Sequence, residues 1–221
     1  MSNRYFKDRA EAGRKLAEQL DKYRYENTAV MALSPGGVLV GQEIAKALHC
    51  TLQLLLTEQV QVADFGGETV GVVDEVGQFT YNNLIPAGVL EEIMLENRNV
   101  IEQQKIEKLS KMHRLLGEQG LIDPHIYYGH TVIVVSDGLK SGLSFAAAAN
   151  FLKPVKTQKI VAAIPVASVK AVDELHALSD EIITLSVVAN FFDTNHYFED
   201  NQVGEPAAIL ASIKQVITKW A

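Results

Sequence analysis

The stretch best suited to chemistry is VIVVSDGLKSGLS, residues 132–144. Four β-branched apolar residues lead into a turn with two glycines, and the following FAAAANFLK has the composition of a helix. Amides at the start of a helix lack internal partners and lie at the positive end of the helix dipole, so they favour an anion. The turn therefore predicts a phosphate site, although a tight turn whose glycines serve only the backbone explains the loop alone equally well.

The side chains of this turn add to its capacity for an anion. Gly138 and Gly142 permit close approach of the backbone, two serines offer hydroxyl donors, and Lys140 offers a full positive charge. The spacing is neither a Walker A loop nor G-x-G-x-x-G. The only acid of the turn is Asp137, a candidate catalytic residue. The candidate binding residues around it are Ser136, Gly138, Leu139, Lys140, Ser141, Gly142, Leu143 and Ser144.

Five short apolar runs alternate with helical patterns and would position this turn. The runs lie at 28–33, 51–56, 131–135, 159–166 and 181–187. Near-continuous apolar strands separated by helices predict an α/β fold with a mainly parallel sheet covered on both faces. Ligands bind such sheets beyond the carboxyl ends of the strands. That rule places the segments 34–37, 136–144 and 191–202 in one site region.

Other segments carry their own predictions. Residues 8–20 form a helix capped by Asp8, Ser168 caps another, and 38–49 is helical after a break at 34–37. Residues 62–82 are glycine-bearing and β-rich, which predicts a hairpin or two short strands with a solvated Asp74 and Glu75. A long helical pattern from 89 to about 117 would protrude or pack against a partner chain.

Composition excludes several classes of protein. The net charge of −7 disfavours nucleic acid. No apolar run approaches the ~18 residues of a membrane span, and the first residues lack the apolar core of a secretory signal. The single cysteine, Cys50, permits no internal disulfide. These observations predict a cytoplasmic protein with neither a nucleic-acid nor a membrane partner.

The ordered motifs resemble those of the type I phosphoribosyltransferases. Val132 to Ser144 resemble the strand, acid and Thr-Gly-rich turn of the motif that binds phosphoribosyl diphosphate, and MALSPGGVLVGQEIAKAL resembles the diphosphate loop with its flanking strand and helix. DRAEAGRKLAEQL resembles the opening helix, IVAAIPVAS the strand after the motif helix, and FFDTNHYFEDNQ the aromatic segment near the end. The resemblance covers nearly the whole chain.

The resemblance implies a fold, a ligand and a set of roles. It implies one domain over 1–221 with a small hood at about 60–118, and a small phosphorylated sugar, phosphoribosyl diphosphate or a ribose 5-phosphate compound, as ligand. Asp137 would contact the ribose and the 138–144 turn the 5-phosphate. The diphosphate loop would be Ser34, Pro35, Gly36 and Gly37, with glycine amides on the diphosphate. Mg²⁺ would assist an active enzyme of nucleotide metabolism, and a homodimer is expected.

The sequence also departs from the pattern of the family. Ser136 replaces the first of two adjacent acids, Ser34–Pro35 lacks the cation common in that loop, and TEQVQVADFGG has no Lys or Arg where a basic segment is usual. Three functions therefore stay open. They are phosphoribosyl transfer to an unknown acceptor, binding of a phosphorylated ribose without turnover, and an oligomeric role through the long helix. Phe191, Phe192 and Tyr197 would either stack on a base or plug the core.

Overall fold

The computed structural model describes residues 6–63, 68–117 and 121–218, and the chain divides into two compact units. One comprises the residues up to Leu55 and from Asp123 onward, and the other spans Leu56–Ile122. The predicted hood elements, at about 60–118, fall inside the second unit. That both units act as one domain stays a prediction.

The strands and helices follow in chain order. The strands are β1 (Thr28–Ala32), β2 (Thr51–Leu54), β3 (Thr57–Val62), β4 (Glu68–Asp74), β5 (Phe79–Tyr81), β6 (Thr131–Val135), β7 (Lys159–Ser168) and β8 (Glu181–Val188). The helices are α1 (Arg9–Gln19), α2 (Pro35–Leu48), α3 (Ala87–Glu96), α4 (Arg98–Leu116), α5 (Leu143–Leu152), α6 (Val169–Leu175) and α7 (Pro206–Thr218).

The first unit is built on a five-stranded sheet in the order β2-β1-β6-β7-β8, and every pairing is parallel. All residues of β1 and β6 are buried, as expected for strands covered on both faces. The α/β fold with a parallel sheet is therefore confirmed. The predicted caps are also present: Asp8 accepts from the Glu11 amide and Ser168 from the Ala171 amide.

Two predictions about helices were wrong. The strand does end before 34–37, but the helix predicted over 38–49 begins earlier, because 35–37 form the first turn of α2, with Ser34 as its N-cap and Pro35 in the position that needs no amide. The single long helix from 89 to 117 is two helices, α3 and α4, separated at Asn97. Asn97 leaves helical geometry (φ −111°, ψ 18°), and both its backbone amide and its side-chain amide donate to the Ile93 carbonyl.

The second unit packs α3 and α4 with a three-stranded antiparallel sheet, β3-β4-β5. The hairpin or pair of short strands predicted over 62–82 is present as the antiparallel β4 and β5, and β3, which begins at Thr57, adds a third strand before that segment. Residues 64–67 of that segment lie outside the described residues. The core of the unit consists of Val60, Val62, Val70, Val73, Ile85, Ile93, Ile101 and Met112.

The acids predicted to be solvated are buried: Asp74 is 1% exposed and Glu75 is 0% exposed. The Glu75 carboxylate accepts the Leu56 amide through Oε2 and the Ile122 amide through Oε1, each at 2.9 Å. Burial raises the pKa of Glu75, and these two hydrogen bonds act against that rise. Glu75 therefore joins the first and last residues of the second unit.

Replacing Glu75 with alanine is expected to destabilise the second unit by about 2–4 kcal/mol, because two backbone amides lose their acceptor. Urea unfolding and hydrogen exchange at the Leu56 and Ile122 amides would measure the loss. Glu68→Ala, at an exposed position of β4, is the matched control. Equal stability of the two variants would contradict the structural role of Glu75.

Among the described residues, no helix is both long enough and apolar enough to cross a membrane. Cys50 is buried, and burial raises the pKa of its thiol to about 12. A thiol in that state is a poor nucleophile, so Cys50 plays a structural part in the core.

Candidate active site

Two segments that the sequence placed in one region meet at the carboxyl ends of neighbouring strands. β1 and β6 pair in parallel, so the turn after β1 and the turn after β6 lie side by side. Ser34, after β1, donates from its hydroxyl to Oδ1 of Asp137, after β6, at 2.8 Å. This hydrogen bond joins the predicted diphosphate segment directly to the predicted ribose-binding acid.

Arg9 makes the second connection to Asp137. Its Nε donates to Asp137 Oδ2 at 2.8 Å, and the guanidinium is 4.7 Å from the centre of the Phe198 ring. Its two terminal nitrogens donate to the Asn195 side chain at 2.7 Å and to the Asn201 carbonyl at 3.0 Å. Arg9 is only 3% exposed, so α1, the β6 turn and the 191–202 segment are tied together by one buried cation.

These contacts limit the further hydrogen bonds that the Asp137 carboxylate can accept. The residue is 8% exposed, and each carboxylate oxygen already accepts one strong hydrogen bond. A ribose hydroxyl would have to share an oxygen with Arg9 or Ser34, or displace one of them. Asp137 therefore joins the segments of the site, and its direct contact with ribose stays a prediction.

The segment 34–37 is tightly closed around Ser34 and Asp137. The Gly37 amide donates to the Ser34 hydroxyl at 2.8 Å, so the N-cap takes up that donor. A Cβ at Gly36 would lie 1.9 Å from Asp137 Oδ2 and 2.7 Å from Arg9 Nε, which only glycine avoids. Since Pro35 has no amide, the predicted donation of glycine amides to a diphosphate is reduced to Gly36.

The turn after β6 is fixed by β7. The Leu139 amide donates to the Val166 carbonyl, the Ser168 amide donates to the Leu139 carbonyl, and the Ser168 hydroxyl donates to the Lys140 carbonyl at 2.8 Å. Ser136 bonds only locally, to the Gly138 carbonyl at 3.1 Å. These hydrogen bonds fix the turn against β7. They do not involve the backbone amides of Lys140, Ser141 and Gly142, which lie nearer to α5.

The far end of the turn has the features of an anion site. The amides of Lys140, Ser141 and Gly142 form no hydrogen bond with any residue that the structure describes. Gly142 begins α5 without a side-chain cap. The predicted binders Leu139 and Leu143 are 5% and 6% exposed, so they would contribute backbone rather than side chains.

The aromatic segment divides into a buried part and an exposed part. Tyr197 is 2% exposed and packs with Phe191 and Phe6, which makes these rings a plug in the core. Phe192 is 69% exposed, with its ring centre 5.2 Å from that of His196. Phe192 and His196 border an open cavity of about 360 Å³ beyond β8. The remaining lining residues are Val187, Val188, Ala189, Asn190 and Tyr197.

The residues present do not build a metal site by themselves. In the described part of the chain, no group of three His, Cys, Asp or Glu side chains converges, and both oxygens of Asp137 are engaged. Mg²⁺ in phosphate-binding sites is held largely by the substrate's phosphates and by water, with one or two carboxylates. With both oxygens of Asp137 already engaged, a Mg²⁺ ion at this edge would be held mainly by the phosphates of the ligand and by water.

The parallel sheet and the glycine turn at its carboxyl edge define an α/β protein with a candidate anion site at the ends of β1 and β6. The family model of the phosphoribosyl transferase domain matches residues 3–199, and the chain belongs to that family. Two curated relatives from Mycobacterium tuberculosis, provisionally named phosphoribosyl transferases, are 27% identical over 191 residues. That match covers 85% of this chain but only 41% of theirs, so the chain spans less than half the length of these relatives.

A solved structure extends the similarity to the fold. The protein TT1426 from Thermus thermophilus is 27% identical, and the match covers 98% of this chain and 99% of that one with a TM-score of 0.63. The resemblance to phosphoribosyltransferases that the sequence motifs suggested is thus confirmed at the level of family and fold. Neither the ligand nor the acceptor follows from these matches.

Sequence reasoning missed the residues that organise the site. In the sequence, Arg9 is one of several charged residues of a predicted amphipathic helix. Asn195 lies in the aromatic loop and Glu174 in a predicted helix, and nothing distinguishes either from its neighbours. None of them stands in a recognisable motif. The one available signal was the stretch D-R at the start of α1, where Asp8 already had a capping role and Arg9 had no local partner.

Proposed function

We propose that the chain binds a ribose 5-phosphate compound of the phosphoribosyl diphosphate type and transfers its phosphoribosyl group to an acceptor that is still unidentified. The observation that carries the proposal is the turn after β6, where the amides of Lys140, Ser141 and Gly142 have no partner among the described residues, at the uncapped start of α5. Such a terminus is suited to a phosphate group. The serines at 141 and 144 and Lys140 would add donors and charge.

Binding without turnover is the second candidate, and one observation favours it. Asp137 is already paired with Arg9 and Ser34, and Ser136 stands where the family usually has the first of its two adjacent acids. Removing one preorganised electrostatic contact typically lowers a rate on the order of 10²–10³-fold. A site that lacks several of them holds its ligand more readily than it transforms it.

The acceptor of a transferase would contact the cavity beside Phe192 and His196. An exposed aromatic ring at the carboxyl end of a strand is suited to stacking on a planar ring. Mg²⁺ would accompany the diphosphate of the ligand. The homodimer and the cytoplasmic setting stay predictions of the sequence.

Calorimetric titration of phosphoribosyl diphosphate, with and without Mg²⁺ and with ribose 5-phosphate for comparison, tests the proposal. Stronger binding of the diphosphate, increased by Mg²⁺, supports transfer. Equal binding of both compounds supports the module without turnover. If neither binds at millimolar concentration, the proposed ligand class is wrong.

Restoring the missing groups separates the two candidates. The double variant Ser136→Asp, Pro35→Arg is expected to gain hydrolysis of phosphoribosyl diphosphate to ribose 5-phosphate, by at least roughly 10²-fold, the usual effect of a single electrostatic contact. Pyrophosphate release would be measured. Lys153→Arg, an exposed change on the same unit, is the control. Rapid release by the unaltered chain would contradict the candidate without turnover.

A further inference from the structure

A carboxylate lies against the predicted phosphate turn. Glu174 stands in the last turn of α6, and its side chain packs on Gly142, the residue before α5. A Cβ at Gly142 would lie 2.7 Å from the Glu174 Cβ and 3.0 Å from its Oε2. Gly142 therefore leaves the space that brings this acid to the start of α5.

The Glu174 carboxylate is incompletely paired. Its Oε1 atom is buried and has no hydrogen-bond partner among the described residues. A buried acceptor without a donor is unfavourable. The start of α5 lies beside this acid at Gly142, and an acid is stabilised near the positive end of a helix dipole. One negative charge of the chain thus lies next to the turn that would bind a phosphate.

The backbone keeps this acid in place. Ser168 caps α6 through the Ala171 amide and also holds the Lys140 carbonyl, so α6 and the turn share one anchor. Leu175, next to Glu174, is fully buried and fixes the last turn of the helix. The acid therefore moves little without a change in the turn itself.

We propose that Glu174 sets the affinity of the 138–144 turn for phosphate by acting as an internal anion that a bound phosphate must oppose. The inference rests on the proposed function, because it concerns the same turn. Two like charges within several ångströms near a protein surface repel strongly enough to change an affinity tenfold or more. Glu174 thus lowers the affinity of the turn for a phosphate, and Lys140 is the cation of the turn that would oppose this effect.

The test is calorimetric titration of ribose 5-phosphate and of inorganic phosphate into three forms of the chain. Glu174→Gln keeps the shape of the side chain and removes its charge, and Asp173→Asn removes a neighbouring exposed charge as the matched control. We expect Glu174→Gln to bind both probes at least about tenfold more tightly, and Asp173→Asn to bind them within about twofold of the unaltered chain. Thermal melting verifies that each form is folded, and Glu174→Ala serves if the glutamine form is not.

The outcomes distinguish this inference from the proposed function. If the unaltered chain binds ribose 5-phosphate and Glu174→Gln binds it no more tightly than Asp173→Asn does, the inference is wrong and the proposed function stands. If Glu174→Gln gains measurable binding that the unaltered chain lacks, both are supported. If no form binds either probe at millimolar concentration, both are wrong.

Discussion

Replacing Arg9 with methionine is expected to destabilise the first unit by about 3–5 kcal/mol, which is the usual effect of removing one partner of a buried ion pair. Methionine keeps the apolar stem but leaves the Asp137 carboxylate, 8% exposed, with Ser34 as its remaining side-chain donor. The Asn195 side chain and the Asn201 carbonyl lose donors as well. Urea unfolding followed by circular dichroism would measure the change.

The control for this prediction is Arg14→Met on the same helix. The Arg14 side chain is 56% exposed, and its nitrogen lies 3.6 Å from a Glu43 oxygen, so its loss is expected to change stability by less than about 1 kcal/mol. Adding Asp137→Asn to Arg9→Met removes the stranded charge and is expected to recover part of the loss. Equal stability of the Arg9 and Arg14 variants would exclude a central role for the buried pair.

The sheet was predictable because its signals are local. Each of the five strands of the first unit is a short apolar run bounded by polar or glycine-bearing turns, and such runs predict covered parallel strands. The caps at Asp8 and Ser168 follow from residue type and position alone. The carboxyl-edge rule then brought Ser34 and Asp137 together without any knowledge of their contact.

The connections within the site were not predictable because they are not local. Arg9 and Asp137 are separated by 128 positions, and an arginine on a helix is ordinarily solvated. Glu75 resembled a solvated acid because its two donors are backbone amides, which leave no trace in the residue types. The helix break at Asn97, between α3 and α4, could not be predicted because no Pro or Gly, the usual helix-breaking residues, stands there.

One error had a readable signal. Ser34 followed by Pro35 is a typical start of a helix, with the cap and the residue that needs no amide in sequence. The prediction instead took 34–37 as a break and began the helix at Val38. The structure begins α2 at Pro35, directly after the Ser34 cap.

Replacing Gly36 with alanine is expected to destabilise the first unit by at least about 3 kcal/mol. The added Cβ would lie 1.9 Å from Asp137 Oδ2 and 2.5 Å from its Cγ, so the carboxylate must leave its position between Arg9 and Ser34. The variant retains every charge and every donor of the site. It therefore tests whether the shape of the turn, and not its chemistry alone, maintains the ion pair.

Gly88→Ala is the control for this change, because Gly88 lies in α3 and a Cβ there meets no atom within 4 Å. That control is expected to gain up to about 1 kcal/mol, as alanine favours a helix. If Gly36→Ala and Arg9→Met remove the same ion pair, the double variant loses little more stability than either single variant. Fully additive losses would instead mean that Gly36 and Arg9 stabilise the site through separate contacts, and that the turn after β1 is held in place by more than Asp137.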